Sequence, residues 1–150
     1  MKILITSLLL ISTLFADLKV GETFPALTLV DQFDTKMIIK EKGSTTLLLS
    51  FEKGVSSSIK TYIDTKEKGY LVKNNIMFIS DISSMPSFIT SMFAIPKMKK
   101  FSFKIALIND EKEASLLTKE VGKVTVITLK NNIIRSIEYI NPKNLNTLRK

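Results

Sequence analysis

The chain of 150 residues has 22 Lys and Arg against 14 Asp and Glu, a formal net charge of +8, and it contains neither cysteine nor histidine. Without cysteine it has no thiolate, which excludes the chemistry of thiol oxidoreductases and thiol peroxidases. Without histidine it lacks the usual general base of enzymes and the usual zinc ligand. Its length suits a single domain.

The first 16 residues have the pattern of a secretory signal peptide. Lys2 supplies the positive n-region, residues 3–15 form an apolar h-region, and Ala16 is a cleavage residue. The alternative, an uncleaved membrane anchor, is disfavoured because the apolar run is shorter than the ~20 residues that cross a bilayer. We therefore expect residues 1–16 to be removed and residues 17–150 to form one periplasmic domain.

The expected compartment and the charge restrict the partners. A secreted chain does not meet nucleic acid in the cytoplasm, so we expect no nucleic-acid partner. A positive balance favours anionic partners such as lipid surfaces or acidic proteins. The alternative is that lysines spread along the chain serve solubility alone.

Strands and helices alternate along the rest of the chain. Apolar runs and period-2 patterns predict strands at 27–30, 37–39, 45–51, 76–82, 103–108, 124–129 and 133–140. Helices are predicted from Ser56, from Pro86 to an end at 95–96, after Asp110, and at the C-terminus. Asp110 with Glu113 resembles a capping box. This order implies an α/β domain with parallel crossovers and an antiparallel hairpin at its end.

A strand-to-helix junction over residues 45–60 is the centre of this order. Ser56 or Ser57 is the predicted N-cap of the helix. Ser57 and Lys60 match the S-x-x-K pattern of serine–lysine acyl enzymes, but the companion motifs are missing, and capping with a solvated lysine is the favoured interpretation. The acidic residues near turns do not have the spacing of a calcium loop. No motif indicates a cofactor, and we expect neither a cofactor nor a metal site.

Four segments resemble the thioredoxin-like fold and its peroxiredoxin-like branch: 20–33, 47–51, 103–117 and 126–134. The resemblance implies a three-layer sandwich with a mixed central sheet, an N-terminal hairpin, a C-terminal antiparallel hairpin and helices on both faces. Where that fold carries its cysteines, this chain has Ser56-Ser57-Ser58-Ile59. The proline or arginine before the last hairpin falls near Lys123. The chain is thus similar to the cysteine-free thioredoxin-like proteins of bacterial periplasms.

Three hypotheses of function follow from this resemblance and from the missing cysteines. The first is a redox-inactive protein, not an enzyme, that binds a protein or peptide partner at the junction and its neighbouring loops. The residues of that site would be Lys53, Gly54, Val55, Ser56, Ser57, Ser58, Pro86 and Lys123. The second is an anion-binding or small-molecule-binding protein that uses the helix N-terminus at residues 54–58.

The third hypothesis is a structural or membrane-surface factor with a basic loop. The basic surface would be formed by Lys97, Lys99, Lys100 and Lys104. An ordinary solvated loop is the alternative interpretation.

An amphipathic stripe marks the predicted helix that follows Pro86. Its apolar residues are spaced at i, i+3, i+4, i+7 and i+8, namely Met85, Phe88, Ile89, Met92 and Phe93. We predict that this stripe packs in the core. If part of it is exposed, it would instead form a peptide-binding groove.

Overall fold

The computed structural model describes residues 17–148. The predicted signal peptide, residues 1–16, lies outside the described residues, and the periplasmic location stays a prediction. Between residues 17 and 148, no helix has the length and apolar character needed to cross a bilayer.

Strands and short helices follow one another in the predicted alternation. The strands are β1 Leu29–Val30, β2 Lys36–Met37, β3 Ser44–Ser50, β4 Ile76–Asp81, β5 Ala106–Ile108, β6 Val124–Lys130 and β7 Ile133–Ile140. The helices are α1 Lys53–Asp64, α2 Tyr70–Lys73, α3 Ser87–Ile89, α4 Ile95–Met98 and α5 Glu111–Ala114. A π-helical segment, Thr90–Ala94, joins α3 to α4, and we call the continuous stretch the 87–98 helix. A 3-10 helix, Pro142–Thr147, lies at the end of the described chain.

The strands form one mixed sheet in the order β2-β1-β5-β4-β3-β6-β7. β3, β4 and β5 are parallel, whereas β1 runs antiparallel to β5 and β6 runs antiparallel to β3. The hairpins β1–β2 and β6–β7 close the two edges. Parallel neighbours need crossover connections, which α1 with α2 and the 87–98 helix provide. The predicted mixed sheet with a hairpin at each end is confirmed.

The central strand β3 is buried on both faces, as its nearly continuous apolar run requires. Leu47, Leu48 and Leu49 are at most 1% exposed. Because successive side chains of a strand point to opposite faces, Leu48 packs with Ile59 of α1, while Leu47 and Leu49 pack with Phe24 in a second cluster. The first face is covered by α1, α2 and the 87–98 helix. The second is covered by the N-terminal lead-in and α5.

Local turn signals are largely confirmed. Asn131 and Asn132 have positive φ angles of 51° and 61°, as a two-residue hairpin turn requires. Asp110 caps α5 by accepting hydrogen bonds from two amides of the first turn, at 2.7 and 3.2 Å. The second half of the predicted capping box does not form. The Glu113 carboxylate accepts instead from the N–H of Thr28, at 2.9 Å.

The strand predicted over 103–108 is shorter than expected, because a buried side chain takes over part of its pairing. The Gln32 amide, 1% exposed, donates to the carbonyl of Phe103 at 2.8 Å and accepts from the N–H of Ile105 at 3.0 Å. The backbone before Ala106 is therefore bonded to a side chain rather than to a strand. β5 consequently pairs with β4 only at Ile79–Asp81.

The helix expected to end at residues 95–96 continues to Met98. Proline lacks an N–H and normally interrupts a helix. Here Pro96 lies in the first turn of α4, immediately after the π segment Thr90–Ala94. A π turn changes the hydrogen-bond register, and a proline at the start of a helical segment removes no bond that the segment needs. Lys97, predicted to lie in a basic loop, is therefore helical.

Candidate functional site

Three serines meet where the parallel strands end and α1 begins. The buried Ser50 at the end of β3 donates from Oγ to Ser80 Oγ of β4, at 3.1 Å. Ser80 Oγ in turn lies 3.5 Å from Ser56 Oγ of α1, at the limit of a hydrogen bond. In open α/β sheets the carboxyl ends of parallel strands form the usual binding crevice. The predicted junction therefore occupies the end of the sheet where a ligand is expected.

α1 begins one turn earlier than predicted, at Lys53, with Glu52 as its N-cap residue. The N–H of Ser56 donates to the carbonyl of Glu52 at 2.9 Å, and Ser58 Oγ donates to the carbonyl of Gly54 at 3.1 Å. Neither Ser56 nor Ser57 is the N-cap, so that prediction is wrong. Since the amide of Ser56 is already used inside the helix, it is not one of the free amides that an anion site needs.

The Glu52 side chain does not cap α1. Its Oε1 accepts from the N–H of Gly122 at 2.7 Å, and no side-chain hydrogen bond is made to the first turn. The loop before β6 is thereby tied to the start of α1. A carboxylate at this end of the helix also places negative charge where a bound anion would otherwise lie. Both features argue against the anion-binding hypothesis.

A cavity of about 220 Å³ lies between the start of α1 and the 87–98 helix. Its lining combines side chains from α1, the end of β4 and the 87–98 helix: Glu52, Lys53, Ser56, Ser57, Lys60, Ser80, Asp81, Ile82, Met85, Ile89, Phe93, Ala94, Lys97, Met98 and Phe101. We call it the junction cavity. Apolar groups form most of its wall, and polar groups lie on the α1 side, as is common in binding pockets.

The junction cavity is lined by three lysines and by two carboxylates, those of Glu52 and Asp81. Lys60 pairs with Asp64, and its ammonium group lies 5.0 Å from the ring centroid of Phe101. Among the described residues Lys53 and Lys97 have no carboxylate partner. The Asp81 carboxylate accepts from the N–H and the hydroxyl of the neighbouring Ser83, which folds it back onto its own turn.

The amphipathic stripe predicted to be core is largely exposed. Phe88, Met92 and Phe93 are 60%, 67% and 62% exposed, so the core prediction is wrong for them. Two features of the helix explain the difference. It begins only at Ser87, so Met85 precedes it, and the π segment breaks the 3.6-residue period on which the stripe depends. We call Phe88, Met92 and Phe93 the apolar ridge.

The predicted site residues separate into several environments. Lys53, Ser56 and Ser57 line the junction cavity, whereas Val55 is buried in the core and Gly54 and Ser58 do not line the cavity. Pro86 is the N-cap residue of the 87–98 helix and is also outside the lining. Lys123 lines a separate cavity of about 770 Å³ with Glu138 and Tyr139.

The four lysines of the predicted basic surface do not share one environment. Lys97 lines the junction cavity, Lys99 lines another depression, and Lys104 pairs with the buried Asp31 at 2.8 Å. Burial alone would raise the pKa of Asp31. The hydrogen bonds from Lys104 and from the amides of Thr35 and Phe33 outweigh burial and hold that pKa below its usual value. Lys104 is therefore engaged within the fold, which weakens the case for a continuous basic face.

Several lining residues escaped the sequence analysis. Ser80 lies on a segment predicted as a plain strand, and Phe101 lies in the predicted basic loop over residues 97–104. The rule that parallel strands end at a common crevice was the available signal for Ser80. For Phe101 the local signal was the mixture of lysines and aromatic residues in that loop, which indicated a surface for an anionic membrane or an acidic partner.

The architecture is that of the thioredoxin-like class. The thioredoxin domain of a thiol-disulfide oxidoreductase from Bacteroides vulgatus is similar, with a TM-score of 0.57 and 15% identity over 87% of this chain and 96% of that chain. A mutant of PrxQ from Xylella fastidiosa gives 0.54 and 12% over 87% and 94%. A peroxiredoxin-like protein from Aquifex aeolicus gives 0.53 and 13% over 83% and 78%.

These similarities confirm the predicted thioredoxin-like fold, and at such identities they show the fold alone. No protein-family model and no curated protein matches the sequence. The similar structures include the thioredoxin domain of a thiol-disulfide oxidoreductase, whereas this chain has no cysteine at any position. Function does not follow from a shared fold, so it must be argued from the site.

Proposed function

We propose that this protein is a redox-inactive, non-enzymatic, periplasmic thioredoxin-like protein that binds an extended peptide segment of a protein partner. The binding site is the junction cavity together with the apolar ridge. One observation carries the proposal: three large apolar side chains stand more than half exposed beside a mostly apolar cavity, at the end of the sheet where parallel strands terminate. Exposed apolar clusters of this kind mark interaction surfaces.

The composition of the site supports a partner of definite chemistry. Apolar side chains of the peptide would cover Met92 and Phe93, and one of them would enter the junction cavity. Lys53 and Lys97 border the same cavity without a carboxylate partner among residues 17–148, so an acidic residue in the peptide would complement them. The expected partner segment is therefore apolar with an acidic residue close by.

The polar groups at the junction support binding rather than catalysis. A serine hydroxyl acts as a nucleophile only with a neighbouring base. Ser56 Oγ has another hydroxyl, that of Ser80, as its neighbour, and the chain has no histidine. Lys60, the base of the S-x-x-K pattern, is occupied by Asp64 and by the face of Phe101.

A displayed library of random peptides tests the proposal. Peptides selected on the purified protein are synthesised, and their affinities are measured by calorimetry for the wild type and for a Met92→Ser, Phe93→Ser variant. Both side chains are exposed, so the variant keeps its core. Val72→Ser is the matched control because Val72 is 82% exposed on α2, away from the ridge.

We expect the selected peptides to be apolar and acidic, and to bind the ridge variant at least about tenfold more weakly while binding the Val72 variant normally. A tenfold loss corresponds to about 1.4 kcal/mol, less than the burial of two large apolar side chains contributes. Peptides that bind both variants as tightly as the wild type would exclude the ridge as the binding site.

A further inference from the structure

A third cavity, of about 680 Å³, lies at the opposite end of α1 from the junction cavity. Its wall comes from three parts of the chain. These are residues 33–45, which begin in the turn of the β1–β2 hairpin, residues 63–77, from the end of α1 to the start of β4, and residues 101–104. We call it the distal cavity. Its volume falls within the range of about 300–1,000 Å³ that is typical of small-molecule sites.

The distal cavity exists because β5 is short. β4 pairs with β3 from Ile76 onward, but β5 joins β4 only at Ile79. The space beside the first residues of β4 is therefore not filled by a strand. The side chains around it belong to both cores: Ile63 and Leu71 to the first, and Met37 and Met77 to the periphery of the second. The lining is consequently mostly apolar.

One polar side chain in this wall has no partner. Thr45 lines the distal cavity, is 6% exposed, and its Oγ1 makes no hydrogen bond among the described residues. Buried hydroxyls are almost always paired in native proteins, and an unpaired one calls for a specific explanation. A polar group on a bound molecule is a direct explanation here.

The charged residues of the wall favour an anion. Lys40, Lys66, Lys68 and Lys104 contribute the positive charge, and Asp64 and Glu67 contribute the negative charge. The two acids are already paired, Asp64 with Lys60 and Glu67 with Lys73. Lys104 is paired with Asp31, which leaves the lysines at 40, 66 and 68 without a carboxylate partner between residues 17 and 148.

Two of the three lysines without a carboxylate are held near the cavity by other contacts. Lys66 Nζ lies 4.4 Å from the ring centroid of Tyr62 and 5.8 Å from that of Tyr70. Lys40 Nζ donates to Asn75 Oδ1 at 3.2 Å, and the carbonyl of Asn75 accepts from the N–H of Thr46, next to Thr45. Positive charge therefore lies beside α2, at Lys66, and beside Asn75 before β4, at Lys40.

We propose that the distal cavity binds a monomeric amphipathic anion, with an apolar chain enclosed by the cavity wall and a carboxylate head held by Lys40, Lys66 and Lys68. The site is separate from the one that binds a peptide in the proposed function, because the two cavities share only Phe101 in their linings. Apolar enclosure sets the affinity, and the lysines set the sign of the head group.

Dodecanoate, below its micelle concentration, is the probe, and amide NMR shifts report where it binds. Dodecanol has the same chain without charge, and dodecyltrimethylammonium has the opposite charge. The test variant is Lys40→Gln, Lys66→Gln, Lys68→Gln. The matched control is Lys99→Gln, Lys100→Gln, Lys143→Gln, which removes the same charge from exposed positions outside both cavities.

We expect saturable shifts at Thr45, Gly69 and Val72, and at least about tenfold weaker binding of dodecanoate to the test variant than to the control. Dodecanol should bind wild type and test variant equally, and the cationic amphiphile should bind the wild type more weakly than dodecanoate. The Met92→Ser, Phe93→Ser variant should bind dodecanoate normally, which distinguishes this site from the peptide site.

Three results would each overturn the proposal. Dodecanoate could give no saturable shift near Thr45, or the test and control variants could lose affinity equally. In the third, the protein would bind vesicles of anionic phosphatidylglycerol while monomeric dodecanoate left Thr45 unperturbed, which would assign the lysines to a membrane surface instead.

Discussion

Replacing Thr45 by valine should stabilise the protein. Valine has the shape of threonine with a methyl group in place of the hydroxyl, and both residues favour strands. The Thr45 hydroxyl is buried without a partner among the described residues, and leaving such a group unsatisfied costs about 1–3 kcal/mol. We take the lower end, because the side chain borders a cavity, and expect a gain of about 1 kcal/mol in the free energy of unfolding.

The matched control is Thr125→Val in the neighbouring strand. Thr125 is also buried, but its Oγ1 donates to the carbonyl of Thr118 at 3.4 Å. Removing this hydroxyl leaves the carbonyl of Thr118 without that hydrogen bond, so the free energy of unfolding of this variant should fall by about 1 kcal/mol. The two valine variants should therefore shift stability in opposite directions.

Urea unfolding followed by far-UV circular dichroism measures the free energy of unfolding of each variant. The thermal midpoint should rise by about 3 °C in Thr45→Val and fall by about 3 °C in Thr125→Val. The comparison requires equal m-values. A Thr45→Val variant that unfolds at lower urea than the wild type would refute the reasoning, because it would mean that the hydroxyl is satisfied in the folded protein. Equal losses of unfolding free energy in both variants would show that the hydrogen bonding of the two hydroxyls does not determine their effect on stability.

Three further predictions concern the scaffold. Because the pKa of Asp31 is lowered in the folded state, its ion pair with Lys104 contributes stability above the unfolded pKa of about 3.9. That contribution should disappear as the pH falls through the folded-state pKa of Asp31. In the Asp31→Asn variant, the free energy of unfolding should therefore depend less on pH in the acid range. Leu48→Ala should cost about 2–5 kcal/mol in urea unfolding, because Leu48 is fully buried at the centre of the sheet. Asn132→Ala should cost about 1 kcal/mol, because alanine tolerates the φ of 61° poorly, whereas Asn132→Gly should be neutral or stabilising.

The central sheet was predictable because its signals are local. The runs that form β3 and β4 are apolar throughout, as strands buried on both faces must be, and the hairpin at Asn131 and Asn132 has the residues that its turn conformation needs. The order of elements then restricts the connections between parallel strands to a few topologies. No long-range information was required for these parts.

The start of α1 was mispredicted because a long-range contact decided it. Serines at 56 and 57 are strong N-cap candidates by residue type. The chain instead turns at Glu52, whose carboxylate reaches Gly122, 70 residues away in the sequence. A side chain that bonds to a distant loop cannot be read from the nearby pattern, and it moved the helix start by one turn. The serines thereby became helix residues, two of them lining a cavity.

Neither cavity could be derived from the sequence, for a related physical reason. The distal cavity depends on Gln32 bonding to Phe103 and Ile105, which shortens β5 and leaves space beside β4. The junction cavity is lined by Phe93 of the π segment, a side chain that α-helical spacing placed in the core. Periodicity describes elements in their ideal form, whereas both candidate sites arise where an element departs from that form. The junction cavity also includes Ser56 and Ser57, at the position where the resembled fold carries its cysteines, so the irregular helix adds an apolar wall to a position that the sequence did indicate.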